Sequence, residues 1–314
     1  MYANLFLFFL GFAFLLIGAR WLISGATSIA KYFNISQWAI GVVIVGIGTS
    51  IPELAINVAS IFNGTSVGVG TILGSNTFNL LVILGLSAII SPLVIYREWI
   101  QRDFLINIGA VLIVVILLFL PVVGDPSVHG ITRLEGVILF TLFLIWFIYT
   151  IMRQPEHEIK VDYKVFTFMT SFVLIVAGIV GVFFGGRWIV EGAEVFARSL
   201  GVSEYIIGLT IVGMGTSVPE LSVSLVAAFR RNASMAVGNV IGSNIFDFLG
   251  ILGAVALFRN IITPDRIGLD ILVTLSATVL LFLVVFFGRH NILTRWEGFC
   301  FVSLYAGYIL FLVL

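Results

Sequence analysis

"GTSIPEL", residues 48–54, interrupts an apolar stretch that is otherwise long enough to cross a membrane as a helix. A second copy, "GTSVPEL", stands at residues 215–221 in an equally apolar stretch. Each copy places a proline, two hydroxyl side chains and a glutamate where lipid would surround the chain. Because charged side chains are costly at such depth, the repeated pattern indicates a function that requires it.

The composition is that of a polytopic membrane protein. Of 314 residues, 60% are hydrophobic and only 10% are charged, far from the values of a soluble domain. The 16 basic and 16 acidic residues balance, so the net charge gives no indication of a nucleic-acid partner. Cys300 is the only cysteine, which excludes an intramolecular disulfide and a cysteine metal cluster. The longest polar stretch is residues 152–164, so we expect no enzymatic or regulatory soluble domain, no cofactor and no protein partner.

About 20 apolar residues cross a bilayer as a helix, and the sequence predicts ten such spans. Because their number is even, both termini lie on one side. Loops opposite the N-terminus carry ten Lys and Arg residues against four on the N-terminal side. By the positive-inside rule both termini are expected outside the cytoplasm, in a multi-pass protein of the cell membrane. The predicted spans are 4–24, 37–61, 68–91, 103–121, 132–152, 165–188, 204–228, 235–257, 267–288 and 296–313.

The chain also contains an internal repeat. Residues 18–54 match residues 185–221 at one constant offset, and "GTILGSNTFNLLVILG" (70–85) matches "GNVIGSNIFDFLGILG" (238–253) with one further residue of shift. The sequence therefore predicts a single transmembrane domain, 1–314, of two five-helix repeats, about 1–152 and 165–314, joined by a linker at 153–164. Since five is odd, the repeats are inverted, as in many secondary transporters. The alternative is an old duplication retained only for packing.

Only three acidic residues, Glu53, Glu220 and Asp247, fall deep within the predicted spans, and no Lys or Arg lies at comparable depth. An unpaired carboxylate at a helix centre costs roughly 2.5 to 3.5 kcal/mol on insertion scales. Protons or bound cations are the candidates that would compensate these charges. Since Pro52 has no N–H, the carbonyl of Gly48 loses its helical donor, and local unwinding would turn main-chain carbonyls inward.

The groups near these carboxylates are all oxygen ligands. Thr49 and Ser50 lie four and three residues before Glu53, hence on the same helical face. "GSNTFN" and "GSNIFD" each place a hydroxyl four residues before an amide or a carboxylate: Ser75 before Asn79, and Ser243 before Asp247. Carboxylates, hydroxyls, carbonyls and amides suit a hard cation such as Na⁺ or Ca²⁺ rather than Zn²⁺. Taken singly, each proline or hydroxyl has an ordinary structural explanation, and Asn76 and Asn244 fit interhelical contacts as well as ligation.

These paired motifs resemble the two alpha-repeats of the sodium/calcium exchanger superfamily, of the compact prokaryotic kind, and the resemblance covers nearly the whole chain. It implies ten helices around four cation sites, one favouring Ca²⁺ and three favouring Na⁺. A central Ca²⁺ site would use the carboxylates of Glu53 and Glu220 with the carbonyls of Thr49 and Thr216. The remaining ligands form three groups: the Gly46 carbonyl with Ser50, Ser75 and Glu53 toward the cytoplasm; the Gly213 carbonyl with Ser217, Ser243 and Glu220 toward the outside; and Asn79 with Asp247 in the middle.

The resemblance further implies that the substrates are Na⁺ and Ca²⁺, exchanged across the bilayer by alternating access with three Na⁺ for one Ca²⁺. The "GNxxE" signature typical of proton/calcium exchangers is absent, which favours sodium coupling; an H⁺/Ca²⁺ antiporter and a K⁺-dependent exchanger remain alternatives. With Glu53 and Glu220 ionised, one Ca²⁺ balances the site, so Asp247 is expected to be protonated. The first span of each half, without deep acids, is the expected sliding element. "GTILGS" departs from the common "GNxxGS" at Thr71.

Two other function classes share some of these features. A passive cation channel also has an acidic pocket, but its flux would not depend on a counter-ion. An intramembrane protease also has buried acids, but the sequence contains no "GxGD" motif and no His within the predicted spans.

Overall fold

The computed structural model describes residues 2–33, 35–63, 67–120, 122–123, 129–152, 165–199, 213–263, 267–288 and 291–313. Within these ranges the chain is almost entirely helical. The predicted linker at 153–164 and the start of the predicted span 204–228 lie outside the described residues. The helices are α1 (Tyr2–Phe33), α2 (Gln37–Thr49), α3 (Ile51–Asn63), α4 (from Val67 to Ile90), α5 (Arg97–Phe119), α6 (Arg133–Met152), α7 (Phe168–Ser199), α8 (Gly213–Gly215), α9 (Val218–Phe229), α10 (Ala233–Phe258), α11 (Gly268–Phe287) and α12 (Arg295–Val313).

Seven of the described helices are long and apolar enough to cross a membrane, and the bent pair of α2 and α3 makes an eighth. This supports a multi-pass membrane protein and does not confirm the count of ten. The short α9 and the final helix α12 are not among the eight. The spans differ in burial. In the most apolar part of α4 and α10, 83% and 89% of the residues are buried, against 33% in α1, α6, α7 and α11. We infer that α4 and α10 lie at the centre of the molecule.

Both "GTSxPEL" stretches interrupt their helices, as the prolines predict. Helix α2 ends at Thr49, Ser50 leaves the helical conformation, and α3 begins at Ile51 with a bend of 43°. In the second copy α8 ends at Gly215, and α9 begins at Val218 with a proline in its first turn. A proline is tolerated there because the first N–H groups of a helix have no partner within it. Each break therefore starts a new helix just before a glutamate.

Among the described residues, four helices also contain a wider, π-helical stretch: Gly41–Gly46 in α2, Asn79–Ile83 in α4, Ile100–Phe104 in α5 and Phe246–Ile251 in α10. Such insertions occur frequently at functional sites. Two of them contain Asn79 and Asp247, the residues predicted at the centre of the site. The insertions in α4 and α10 thus fall at equivalent places in the sequence repeat.

Helices α1 and α7 pack against each other along glycines spaced seven residues apart. A Cβ atom on Gly18 would lie 2.8 Å from the nitrogen of Val182, and one on Gly185 would lie 2.7 Å from the oxygen of Gly11. Side chains larger than hydrogen would push these backbones apart. The close contact therefore depends on the glycine rows, which are Gly11, Gly18 and Gly25 on α1 and Gly178, Gly185 and Gly192 on α7.

The described residues also form two antiparallel ribbons of two residues per strand, which the all-α prediction did not include. Strand β1 (Leu93–Val94) pairs with β4 (Ile292–Leu293), and β2 (Gly130–Ile131) pairs with β3 (Ile261–Ile262). Gly130 has a φ of 141°, and a Cβ atom there would collide with the oxygen of Ile261. Each ribbon takes one strand from residues 1–152 and one from residues 165–314, so the ribbons join the two halves.

A buried carboxylate away from the motifs fixes the start of α2. Asp103, on α5, is fully buried and forms an ion pair with Arg102. The indole nitrogens of Trp38 and Trp146 donate to its two oxygens at 2.9 Å and 3.2 Å. Trp38 also stacks on Trp99 with the ring centres 4.2 Å apart. This cluster connects α2, α5 and α6.

Candidate cation site

Glu53 and Glu220 occupy equivalent places at the starts of α3 and α9. Each lies in the first turn of its helix, and each is only 1% exposed. The first turn of a helix presents unpaired N–H groups and the positive end of the helix dipole, which stabilise nearby negative charge. The breaks therefore place two carboxylates deep in the protein with partial compensation from the backbone.

The two motifs face each other. The hydroxyl of Ser50 donates to Glu220 Oε1 across 3.1 Å. Ser75 of α4 donates to Glu53 Oε1 at 3.3 Å and shares a hydrogen bond of 3.1 Å with Thr216. Ser50 and Ser75 thus each reach a carboxylate or a hydroxyl of the other half. These contacts place the two motifs against each other inside the protein.

Asp247 and Asn79 approach the same centre from α10 and α4. Asp247 Oδ2 accepts a hydrogen bond from Asn76 Nδ2 at 2.9 Å, and Asn79 Nδ2 donates to Asn244 Oδ1 at 3.0 Å. Asn76 and Asn244 therefore form the interhelical contacts that were one of their two predicted roles. The Oδ1 atom of Asn76 has no hydrogen-bond partner, so it has the capacity to bind a cation as well.

The predicted grouping of the ligands is corrected for Ser243. The family resemblance implies that Ser243 groups with Gly213 and Ser217, but its hydroxyl donates to the carbonyl of Gly46 at 3.1 Å. The reason is packing: a Cβ atom on Gly46 would lie 3.0 Å from the nitrogen of Ser243, so α2 lies directly against α10. Gly46 and Ser243 come together from opposite halves, whereas a repeat in the sequence shows only which residues are equivalent.

The other predicted ligands lie in or next to the two helix breaks. Thr49 is 2% exposed, and its hydroxyl donates to the carbonyl of Val45 at 3.0 Å. Thr216 and Ser217 form the break between α8 and α9, and Ser217 is fully buried. Gly213 begins α8, three residues before Thr216.

Several buried oxygens around this centre have no hydrogen-bond partner. Leaving a buried polar group unsatisfied costs about 1 to 3 kcal/mol, and more when the group is charged. So many at one place indicate a missing positive partner rather than separate defects. These atoms are Glu53 Oε2, Glu220 Oε2, Asp247 Oδ1, Asn76 Oδ1, Asn79 Oδ1 and the hydroxyl of Ser217.

Acidic side chains alone do not make this site. Among the described residues, no group of three or more His, Cys, Asp or Glu side chains is arranged to hold a metal ion. A cation here would need the hydroxyl, amide and carbonyl oxygens as well as the two glutamates. Such a mixed oxygen set, without nitrogen or sulfur, suits Na⁺ and Ca²⁺.

Three buried residues that support the helices of Glu53 and Glu220 were not predicted from the sequence. Asn239 donates to the backbone oxygen of Glu220 at 3.2 Å and to Ser224 at 2.8 Å. Asn57 donates to the backbone oxygen of Glu53 at 2.9 Å. The signal for Asn239 was its place in "GNVIGS", opposite Thr71 in the repeat, whereas Asn57 and Ser224 stand in no motif.

Comparison with known proteins agrees with this geometry. The family model described as "Sodium/calcium exchanger protein" matches residues 3–152 and 170–314. The chain belongs to the sodium/calcium exchanger family. The resemblance read from the paired motifs is therefore confirmed. The protein is a multi-pass membrane transport protein of the antiporter type, and its family is one of transporters rather than of enzymes.

Individual relatives cover this exchanger almost completely. Membrane protein MJ0091 of Methanocaldococcus jannaschii is 36% identical over 300 residues, which are 95% of this chain and 94% of the relative. The sodium/calcium exchanger MaX1 of Methanosarcina acetivorans is 27% identical over 344 residues and 98% of both chains. A solved structure of the sodium–calcium exchanger NCX_Mj, soaked with zero Na⁺ and Ca²⁺, has 32% identity, a TM-score of 0.82 and 98% coverage of both chains. The helical fold is thus that of a compact prokaryotic exchanger.

Proposed function

We propose that this protein is an antiporter that exchanges Na⁺ for Ca²⁺ through the site between Glu53 and Glu220. The observation that carries the proposal is the set of buried oxygens without hydrogen-bond partners around these two carboxylates. A bound cation would satisfy them together, and membership of the exchanger family supports the choice of Na⁺ and Ca²⁺. The proposed ligands are those predicted above, with Ser243 grouped with Gly46.

Charge balance supports competition between the two ions. Glu53 and Glu220 together carry two negative charges, which one Ca²⁺ neutralises. Na⁺ ions would use the same carboxylates, so occupancy by one kind of ion excludes the other. Three Na⁺ against one Ca²⁺ moves net charge, and we propose this electrogenic ratio. Potassium or protons as further coupling ions remain the alternatives.

Equivalent faces of α1 and α7 have different surroundings, which supports alternating access. A cavity of about 790 Å³ lies between α1 and α9, where Phe12, Leu15 and Leu16 form part of its lining. At the equivalent positions of α7, Ile179, Val182 and Phe183 line a crevice against Pro52 and Pro219 that is too narrow for a water molecule. Sliding of α1 and α7 along their glycine rows would open one face and close the other.

The proposed architecture is ten transmembrane helices in two inverted halves, with both termini outside. The bent pair and the seven long apolar helices account for eight spans. Helix α9 with the preceding residues, and α12, would be the other two. The equivalent breaks before Glu53 and Glu220, and the equivalent π-helical stretches in α4 and α10, support the repeat.

Flux in reconstituted vesicles tests the function. Vesicles loaded with Na⁺ and diluted into Na⁺-free medium should take up radiolabelled Ca²⁺, and an inside-negative potential should slow this uptake if three Na⁺ leave per Ca²⁺. Glu53→Gln and Glu220→Gln should each lower uptake at least about 100-fold, because a buried charged partner is lost. Glu191→Gln, a half-exposed glutamate of α7 paired with Arg187, is the matched control and should transport normally.

The outcomes separate the alternatives. Uptake that does not depend on Na⁺ and is driven by a pH gradient would indicate an H⁺/Ca²⁺ antiporter. Uptake that requires K⁺ with Na⁺ would indicate a K⁺-dependent exchanger, and downhill flux without any counter-ion would indicate a channel. Full activity in either glutamate variant would contradict the assignment of the site.

A further inference from the structure

Beside the helices that carry Glu53 and Glu220, the sequence repeat has an amide and a hydroxyl in exchanged positions. The repeat aligns Asn57 with Ser224 at an offset of 167, and Thr71 with Asn239 at an offset of 168. In the second half the hydroxyl is on the glutamate's helix and the amide is on the facing helix. In the first half the amide is on the glutamate's helix and the hydroxyl is on the facing helix.

In the second half one amide connects three helices. Asn239, on α10, is fully buried, and its Nδ2 donates to Ser224 Oγ at 2.8 Å and to the backbone oxygen of Glu220 at 3.2 Å. Its Oδ1 accepts from the hydroxyl of Thr49 at 3.3 Å. Asn239 thus fixes the first turn of α9 against α10 and against the break in α2.

In the first half the amide comes from α3 itself. Asn57 is 2% exposed, and its Nδ2 donates to the backbone oxygen of Glu53 at 2.9 Å. Its Oδ1 is directed at α4, because a Cβ atom on Gly68 would collide with it. Gly68 and Thr71 are three residues apart, hence on the same face of α4. The Asn57 amide therefore lies between the carbonyl of Glu53 and the face of α4 that carries Thr71.

We propose that Asn57 is a positioning residue for Glu53 and replaces the amide that is absent at Thr71. The side-chain hydrogen bond adds to the helical one that the carbonyl of Glu53 already accepts, and it contributes about 1 kcal/mol. By holding this carbonyl and packing on Gly68, Asn57 fixes the first turn of α3 and so the direction of the Glu53 carboxylate. Groups of this kind, one step behind the ligands, tune affinity for a cation. The departure from "GNxxGS" is therefore compensated and is not a lost ligand.

This inference rests on the proposed exchange, since it assigns a supporting residue to the proposed site. It also predicts something that a general packing role does not. An amide should support the position of Glu53 whether it comes from α3 or from α4. Asn57→Ser removes it, whereas Asn57→Ser combined with Thr71→Asn returns it from α4, as in the second half. The double variant reproduces the Ser224 and Asn239 pair.

The test measures the Ca²⁺ concentration that gives half-maximal Na⁺-driven uptake. Asn57→Ser should raise it about five- to tenfold, the effect of one lost hydrogen bond. Thr71→Asn alone should not lower it, because Asn57 already occupies the space. The double variant should return to within about twofold of the wild-type value, since the hydrogen bond is restored. Asn107→Ser, which removes another buried amide, on α5, is the control and should leave this concentration unchanged.

A double variant as weak as Asn57→Ser, or an unchanged Asn57→Ser variant, would overturn the proposal. The unfolding temperature of the cation-free protein in detergent gives a second measurement: it should fall in Asn57→Ser and recover in the double variant. If the wild-type protein shows no Na⁺-driven uptake, the proposed function fails. The proposed swap of the amide and the hydroxyl between the two helices is then tested by the unfolding temperatures alone.

Discussion

Asp247 has different neighbours from the two glutamates. Asn76 donates an amide hydrogen to Asp247 Oδ2 at 2.9 Å, and Oδ1 has no partner. In the proposed site Glu53 and Glu220 balance one Ca²⁺, so a third negative charge is not required. A neutral Asp247 would have the shape and hydrogen-bonding capacity of an asparagine. Its role is then to orient the amides around it rather than to supply charge.

We therefore predict that Asp247→Asn retains most Na⁺-driven Ca²⁺ uptake, measured as the initial rate in vesicles. Asp247→Ala should lose more, because the amide of Asn76 then has no acceptor for its hydrogen. Loss of transport in the asparagine variant would mean that Asp247 works in its ionised form.

What sequence predicts at this scale depends on whether a contact is local. The break before Glu53 follows from Pro52 alone, because proline removes a donor from its own helix. The contact between Ser243 and Gly46 joins residues 197 positions apart. This contact depends on α2 lying against α10, and no local motif shows which helices pack together. The ligand grouping implied by the family resemblance therefore differs from the observed contact of Ser243.

At the scale of elements, α1 and α7 differ from the rest by touching through glycines. Along Gly11, Gly18 and Gly25 the backbone of α1 contacts α7 without side chains of its own, and Ile175 and Ile189 of α7 pack on it. Interlocked side chains hold two helices in one register, whereas smooth backbones permit several. The contact is therefore suited to movement along the helix axes.

Adding a methyl group to this contact should slow exchange without weakening cation binding. Gly18→Ala would place a Cβ 2.8 Å from the nitrogen of Val182, so the two helices must separate. We expect a lower maximal rate of Ca²⁺ uptake at an unchanged half-maximal Ca²⁺ concentration. Gly109→Ala, where no atom lies within 4 Å of the added group, is the matched control and should behave as wild type. Equal rates in the two variants would argue against movement at this contact.

At the scale of the whole molecule, the equivalent faces of α1 and α7 have different surroundings. A cavity of about 790 Å³ lies between α1 and α9, whereas the equivalent residues of α7 line a narrow crevice against Pro52 and Pro219. The sequence repeat predicts that a cavity can form at either face. It does not predict which is open, because the choice depends on the relative position of α1 and α7 and not on either motif.

Cysteines at two equivalent positions should report this choice. In a Cys300→Ala background, Leu225→Cys lies in the open cavity, and Val58→Cys is its equivalent on α3. We predict that a membrane-impermeant maleimide labels Leu225→Cys only from the side opposite the N-terminus and Val58→Cys only from the N-terminal side. Changing from Na⁺ to Ca²⁺ should raise one rate and lower the other. Labelling from the same side, or rates that rise together, would contradict alternating access.

The two β-ribbons have a consequence for the origin of the chain. In β1 with β4, and in β2 with β3, each half supplies the strand that covers an edge of the other. The hydrogen bond from Ser50 to Glu220 follows the same rule. The strand edges of one half are covered by the other, and a carboxylate of one half accepts a hydrogen bond from the other, so a half by itself is incomplete. By the proposed inverted repeat, an ancestor of half this length would have needed a second copy in the opposite orientation, and fusion of the two copies would have left each free to change, as Asn57 and Asn239 did.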